Sequence, residues 1–369
     1  MGLETHLFAW KDGNVVEENC DFYYDISILD KEAILKECKR IGIDGITSIA
    51  SDIAMPSVNY VANELGLIGN SLESTLISTD KFEMRKALST AGVSCPKFAF
   101  FSEPNFSEDT EFTFPVIVKP TDRSGSRGVT KVYEPVNVNE AIKKALENSI
   151  NSRAIVEEFI VGREFSVEGI SVKGNHQVLT ITDKVTTGEP HYVELEHHQP
   201  AQINEQQWQA IEEETLKVLD ALKIENGASH TEVFLTEDGR VQIMESAGRM
   251  GGDWIGSHMV EASTGFDFLR ATLKVALGQF DLKDCIGKAK STYSGVYYVT
   301  PKLGKIEEVK VNIDQTPDIK DYQIILGKGS HIDEILDGSG KRAAIIFYTG
   351  ETYSPFYRNS IDSIKYQMR

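Results

Sequence analysis

Glu232 and Glu245 stand in two short apolar runs, and Arg249 follows the second glutamate after four residues. In Val241-Gln-Ile-Met-Glu245, period-2 counting puts Val241, Ile243 and Glu245 on one face, so the run ends in a carboxylate. Ser229-His-Thr-Glu-Val-Phe-Leu235 reads as a second strand, and Glu237-Asp-Gly-Arg240 supplies the turn between them. Folded as a hairpin, the runs bring two carboxylates together, which is costly unless a cation lies between them. Hard oxygen ligands beside an arginine suit Mg²⁺ bridged to phosphate. Taken alone, the same residues also describe a surface turn with two solvated glutamates.

Other stretches carry phosphate and amine chemistry. Phe114-Pro-Val-Ile-Val-Lys119 is a buried strand ending in a lysine, a point charge suited to phosphate. Asp122-Arg-Ser-Gly-Ser-Arg-Gly128 follows, where Gly125 and Gly128 let backbone approach a ligand and successive N–H groups form an anion nest. The Walker pattern is absent; Gly338-Ser-Gly-Lys-Arg342 lacks its spacing and hydroxyl and reads as a turn. Ala154–Gly169 places two strands around Val161-Gly162, with Glu164, Ser166 and Glu168 on one face, consistent with an exposed strand face or a site. His191–Ala201 is rich in histidine and glutamate, and a polar surface strand is the alternative reading of it.

The elements that would position these residues follow from periodicity. Thr5–Trp10, Phe22–Ile28, Gly45–Ala50 and the run 66–69 read as strands, Lys31–Ile41 and Ser57–Leu65 as helices, making a small parallel α/β unit. That unit begins on what would be its second strand, so a first βα unit is expected to be missing. Thr79–Leu88, Val138–Asn148, Gln206–Leu222 and Ile255–Leu277 have helical spacing. Residues 97–200 and 291–350 are strand-rich, and the C-terminus reads as helical.

Bulk properties narrow the class. With 369 residues, two or three domains are expected. A net charge of −18 argues against a nucleic-acid backbone as partner, since no stretch concentrates Lys or Arg. The four cysteines are far apart without Cys-x-x-Cys spacing, which fits reduced thiols. No apolar run reaches the ~18 residues of a membrane span, and the N-terminus has no secretory pattern, so a cytoplasmic protein is expected.

In this order, the pieces resemble the ATP-grasp superfamily of carboxylate–amine ligases over nearly the whole chain. The resemblance implies an α/β and α+β architecture: a Rossmann-like pre-ATP-grasp domain over 1–76, an ATP-grasp domain over 77–280 with a lid at about 97–160, and a carboxylase-like strand region over 281–369. It implies that Lys81 and Lys119 contact ATP phosphates and that Ser124, Gly125, Ser126 and Gly128 close over them. Glu157 and the backbone of Glu158, Phe159 and Ile160 would meet adenine, and Glu164 the ribose. Glu232 and Glu245 would hold Mg²⁺, with Mn²⁺ as a substitute. The family commonly has Glu-x-Asn-x-Arg at the second ligand; here Ala247 replaces the amide and coordinates nothing, while Ser246 should face the other way.

Within the superfamily the chain looks like the L-amino-acid (dipeptide) ligase group, whose Glu-x-x-His-x-x-Pro segment maps onto Glu194, His197 and Pro200. The resemblance then gives Glu194 a substrate ammonium, His197 the attacking amine, and Arg249 the acyl phosphate or oxyanion. Met250–Trp254 would shape the pocket, or Trp254 would pack in the core. The implied partners are small carboxylate and amine substrates and a second copy of the chain. A bicarbonate-activating carboxylase is the first alternative, although no biotinylation segment is present. A nucleotide-binding scaffold without catalysis is the second.

Overall fold

The computed structural model describes residues 1–11, 17–107, 109–123, 125, 127–189, 192–285, 293–300, 302–313, 318–332, 341–351 and 363–369. Strands β1 (His6–Ala9) and β2 (Phe22–Asp25) pair in parallel, covered by helices α1 (Lys31–Ile41) and α2 (Met55–Leu65). Helix α1 has the range its apolar spacing predicts, with Asp30 capping Ala33 N–H and Gly42 ending it at φ +75°. The expected strands at 45–50 and 66–69 do not form. Ile49 makes an isolated parallel bridge to Met250, and Gly66 is the left-handed cap of α2 at φ +67°.

Helices α3 (Leu72–Thr79) and α4 (Lys81–Thr90) lead into a four-stranded sheet of β3 (Phe98–Phe101), β4 (Val116–Pro120), β5 (Thr130–Val132) and, beyond α5 (Val138–Asn148), β6 (Ala154–Glu158). Its strand order is β3-β6-β4-β5, and Ile142 and Ala145 of α5 pack on Val116, Val118 and Val156. The chain then crosses to a larger sheet. Its members are β7 (Arg163–Val172), β8 (Asn175–Thr186), β9 (Glu194–Gln199), then, after α6 (Glu205–Ala221), β10 (Gly227–Leu235) and β11 (Val241–Ala247). Val161-Gly162 therefore joins strands of two sheets rather than a hairpin.

The expected helix at 255–277 is broken into a π-helical turn at Ile255–Met259, α7 (Val260–Thr264) and α8 (Phe268–Ala276). Gly265, at φ +76°, ends α7, and Asp267 caps α8 afresh through Arg270 N–H. The remaining strands are β12 (Tyr293–Val299), β13 (Gly304–Val311), β14 (Ile319–Ile324), β15 (His331–Ile332), β16 (Ala344–Gly350) and β17 (Ile364–Met368). The expected helical C-terminus is a strand where it is described: β17 pairs antiparallel with β13, alternately hiding Ile364 and exposing Lys365. Residues 338–340 of the Gly338–Arg342 turn lie outside the described residues.

Among the described residues the large sheet has eight strands in the order β11-β10-β7-β8-β9-β12-β16-β14. Its α6-covered face is a core of Phe165, Val167, Ile181, Val233 and Ile243 packed on Ile211, Val218 and Leu219. The opposite face carries the polar residues described next. No described helix is long and apolar enough to cross a membrane, and none of the four cysteines is in a disulfide.

Candidate active site

The hairpin forms, with one correction to its phase. Glu232 and Glu245 are register partners across β10 and β11, but the register shifts between Glu232 and Val233, so Val233 faces Ile243 and Met244 is the extra residue. Cross-strand partners share a face, so Val241 and Ile243 enter the α6 core while Glu245 turns to the opposite face beside Glu232. Simple alternation, which placed the three together, fails at this bulge. Beyond it, Ser246 bonds Thr231 Oγ1 at 2.7 Å on the buried side, and Ala247 lines the cavity.

That cavity holds about 580 Å³ between the two sheets. Three lysines enter it. Lys184 of β8 reaches Glu164 at 2.5 Å, Glu232 at 3.0 Å and Glu194 at 4.0 Å. Burial opposes its charge, but the surrounding carboxylates outweigh this and raise its pKa far above the ordinary lysine value. Lys81 opens α4, where Asp80 caps Phe82 and Glu83 N–H, and its amine bonds Glu245 at 2.8 Å and the Arg123 carbonyl at 2.9 Å. Lys119, from β4, contacts Glu157 at 2.7 Å, and burial lowers its pKa. The glutamates expected to need a cation thus have Lys184 and Lys81 against them.

Glu157 is not on the cavity wall. It is 1% exposed, between Lys119 and Arg85, whose Nε bonds it at 2.6 Å. Arg85 also donates to the Met244 carbonyl at 2.5 Å, so the path Lys119–Glu157–Arg85 ties the four-stranded sheet to the bulge in β11. The Glu158 side chain turns away to accept from Thr113 N–H at 2.8 Å, whereas Phe159, Ile160 and Glu164 line the cavity. Gly125, at φ +67°, lines it too; Gly128 has φ +73°, and Ser124 and Ser126 lie outside the described residues.

Arg249 projects into the cavity just past β11, held by the Asp52 carboxylate through Nε at 2.8 Å and Nη2 at 2.9 Å. The bridge of Ile49 to Met250 and the bond from Ala50 N–H to the Met250 carbonyl, 3.2 Å, bring that carboxylate there. His230 sits two residues before Glu232 on the same face. Its Nδ1 bonds the buried Glu168, while Nε2 lies 3.6 Å from Glu232. Burial opposes a charged imidazole, but Glu168 outweighs it and raises the pKa to about 9. Glu168 also accepts Gly251 N–H at 3.0 Å. Glu194 lines the cavity; His197 does not, being buried one strand beyond Lys184.

Residues 112–258 match the ATP-grasp domain family. The chain carries an ATP-grasp domain. It is 27% identical to an alanine–anticapsin ligase of Bacillus subtilis over 297 residues, 73% of this chain but 60% of that protein's length. Two solved structures share the fold. An L-amino acid ligase from Bacillus licheniformis superposes with a TM-score of 0.87 at 24% identity, covering 100% of this chain and 93% of that one. A phosphoribosylglycinamide synthetase from Anaerococcus prevotii does so at 0.79 and 19%, covering 99% and 93%. At such identities the likeness is one of fold.

Sequence reasoning missed Asp52, Arg85, Lys184 and His230. His230 had a local signal, since alternation already put it on the Glu232 face. Asp52 and Arg85 had none, because Arg249 is 197 residues from Asp52 and Glu157 is 72 from Arg85.

Proposed function

We propose that this chain is an ATP-dependent carboxylate–amine ligase that activates one amino-acid substrate as an acyl phosphate and joins it to the amine of another, releasing ADP and phosphate. The observation that carries the reading is the registered pair Glu232 and Glu245 facing a cavity that also receives Lys81, Lys119, Lys184 and Arg249. Relatives named for joining amino acids support the substrate class.

The donor set fits Mg²⁺ in the way an ATP-metal site requires. Among the described residues no group of three or more His, Cys, Asp or Glu side chains is placed to hold a metal alone. Mg²⁺ bound through one or two carboxylates, with phosphates and water completing the shell, needs no such group. Glu245 and Glu232 would supply the carboxylates, and Ala247 beside them supplies no donor. Bound there, the ion would neutralise charge on the transferring phosphoryl group.

The chain's own groups account for the rest. Lys119 and Lys81 orient the nucleotide phosphates, and the segment around Gly125 covers them and excludes water from a hydrolysable acyl phosphate. Arg249, already oriented by Asp52, faces the oxygen that becomes negative when phosphate leaves. Glu194, which lines the same cavity, holds the incoming ammonium.

The test is phosphate release with Mg-ATP and pairwise mixtures of amino acids, product masses being measured. ADP together with a dipeptide mass is expected. Bicarbonate-dependent ADP release without any amino acid would replace this reading with the carboxylase one.

A further inference from the structure

Lys184 sits inside the carboxylate cluster of the cavity and is held from three strands. It rises from β8 and reaches across β7, the strand between β8 and β10, to bond Glu232 Oε1 at 3.0 Å. Glu164 of β7 lies 2.5 Å from the same ammonium and Glu194 of β9 lies 4.0 Å from it. The Lys184 side chain is 4% exposed. A lysine is buried this far only where anions hold it, and the three carboxylates do so here.

The two carboxylates suited to a metal each keep one oxygen for it. Lys184 takes Glu232 Oε1, and Lys81 takes Glu245 Oε1 at 2.8 Å. Among the described residues no hydrogen bond reaches Oε2 of either glutamate. Their side chains remain 31% and 30% exposed, so the pair stays open to an ion. Mg²⁺ takes six oxygens and usually keeps phosphate and water among them, so two oxygens from cross-strand partners suit one ion. A second ion would need protein oxygens of its own. Ala247, opposite His230 in the register, offers none, and Glu164 and Glu194 already lie against Lys184. The other cavity carboxylates are engaged as well, Asp52 by Arg249, and Asp183 by Arg163 and Gln202 N–H. A divalent ion brought to Glu232 Oε1 would also meet an ammonium 3.0 Å from that oxygen, and like charges repel strongly away from bulk water.

We propose that the nucleotide complex of this chain holds a single divalent ion, on Glu232 and Glu245, and that the Lys184 ammonium supplies the second positive charge of the site. The inference rests on the nucleotide-binding part of the ligase reading and goes beyond it in giving Lys184 a role. Two-metal sites set their ions about 3.5–4 Å apart and stabilise the transferring group from both sides. Here the second cation is a side chain, so it is in place before nucleotide arrives and does not depend on the Mg²⁺ concentration. Lys184 is also a positioning residue, since its bond to Oε1 fixes which oxygen Glu232 presents.

A purely structural Lys184 has a different consequence. A lysine that only neutralised a buried glutamate cluster would leave the number of ions to the available donors. Restoring an amide at position 247 would then be enough to restore a second ion. If Lys184 itself takes the place of that ion, the amide alone changes nothing, and the lysine must go too.

The test counts Mn²⁺ per bound nucleotide in the full chain, by equilibrium dialysis with the non-hydrolysable ATP analogue AMP-PNP. Electron paramagnetic resonance of the same samples reads whether the ions are close neighbours. One Mn²⁺ per nucleotide is expected, without the magnetic coupling of two ions about 4 Å apart. Ala247→Asn should still bind one. Ala247→Asn combined with Lys184→Gln adds an oxygen donor and frees the carboxylates, and should bind two coupled ions. Calorimetric affinity for AMP-PNP and thermal unfolding serve as the fold controls. Two ions in the parent chain or in Ala247→Asn alone would overturn the proposal, and neither result depends on a Lys184 variant folding. A folded double variant that still binds one ion would overturn it as well. AMP-PNP that fails to bind the parent chain would remove the nucleotide reading and this proposal with it. One ion per nucleotide without ADP release from any amino-acid pair would leave the metal count standing and remove the ligase reading.

Discussion

Asp52 grips one edge of the Arg249 guanidinium, through Nε at 2.8 Å and Nη2 at 2.9 Å, although the two residues are 197 apart in the chain. A bidentate carboxylate fixes the plane of the guanidinium as well as its position. The arginine is thus aimed by an element outside the sheet that carries it.

Replacing Arg249 with Ala should lower kcat for ADP release by about 10²–10³-fold, the usual effect of losing one donor to a developing oxyanion. Asp52→Asn keeps the arginine but loosens it, so a smaller loss of about 10-fold is expected. Equal losses from the two variants would show that Asp52 does more than orient.

Glu232→Gln and Glu245→Gln should each abolish turnover, by about 10²-fold or more, and weaken the dependence on Mg²⁺ concentration. Each also removes the partner of a buried lysine, Lys184 or Lys81, so thermal unfolding should be followed alongside. Near-normal rates in either variant would contradict the assigned roles.

Glu157 links pH to stability. Burial raises its pKa, but Arg85 and Lys119 outweigh burial and lower it from 4.5 to about 2. A carboxylate depressed in this way stabilises the fold fully above pH 4.5, and that contribution fades as pH falls through about 2. Glu157→Gln leaves two buried cations without their anion and should cost about 3–5 kcal/mol in denaturant unfolding at neutral pH. The variant should also show a weaker fall in stability on acidification than the parent.

Gly251 has no room for a side chain. A Cβ there would lie 2.6 Å from Glu168 Oε1 and 2.8 Å from His230 Nδ1, two groups bonded to each other in the interior. Gly251→Ala should therefore separate that pair and destabilise the chain by about 1–3 kcal/mol, read from the denaturation midpoint.

The local patterns that were legible are those whose cause is local. Val138–Asn148 and Lys31–Ile41 were read to the residue because apolar spacing and termini lie within the segment. Glu164, Ser166 and Glu168 share a face in β7, as alternation implied, although Ser166 and Glu168 are buried in the site rather than solvated. The Ile255–Leu277 pattern failed at Gly265, where two short helices with separate caps share one continuous apolar rhythm. The C-terminal segment was misread because its strand character comes from pairing with β13, far upstream.

For the hairpin, the sequence by itself determined the two glutamates, the turn between them and the arginine beyond. Only the tertiary structure decided that they face a cavity. A bulge at Met244 reverses the phase of β11, sending Ile243 into the core and Glu245 out beside Glu232. Alternation cannot reveal such a step, because an extra residue in one strand is defined by the register with its partner. The same holds for the charges. Lys184, Lys81 and Asp52 reach the site from three separate elements, and a pairwise electrostatic contact depends on distance in space rather than along the chain.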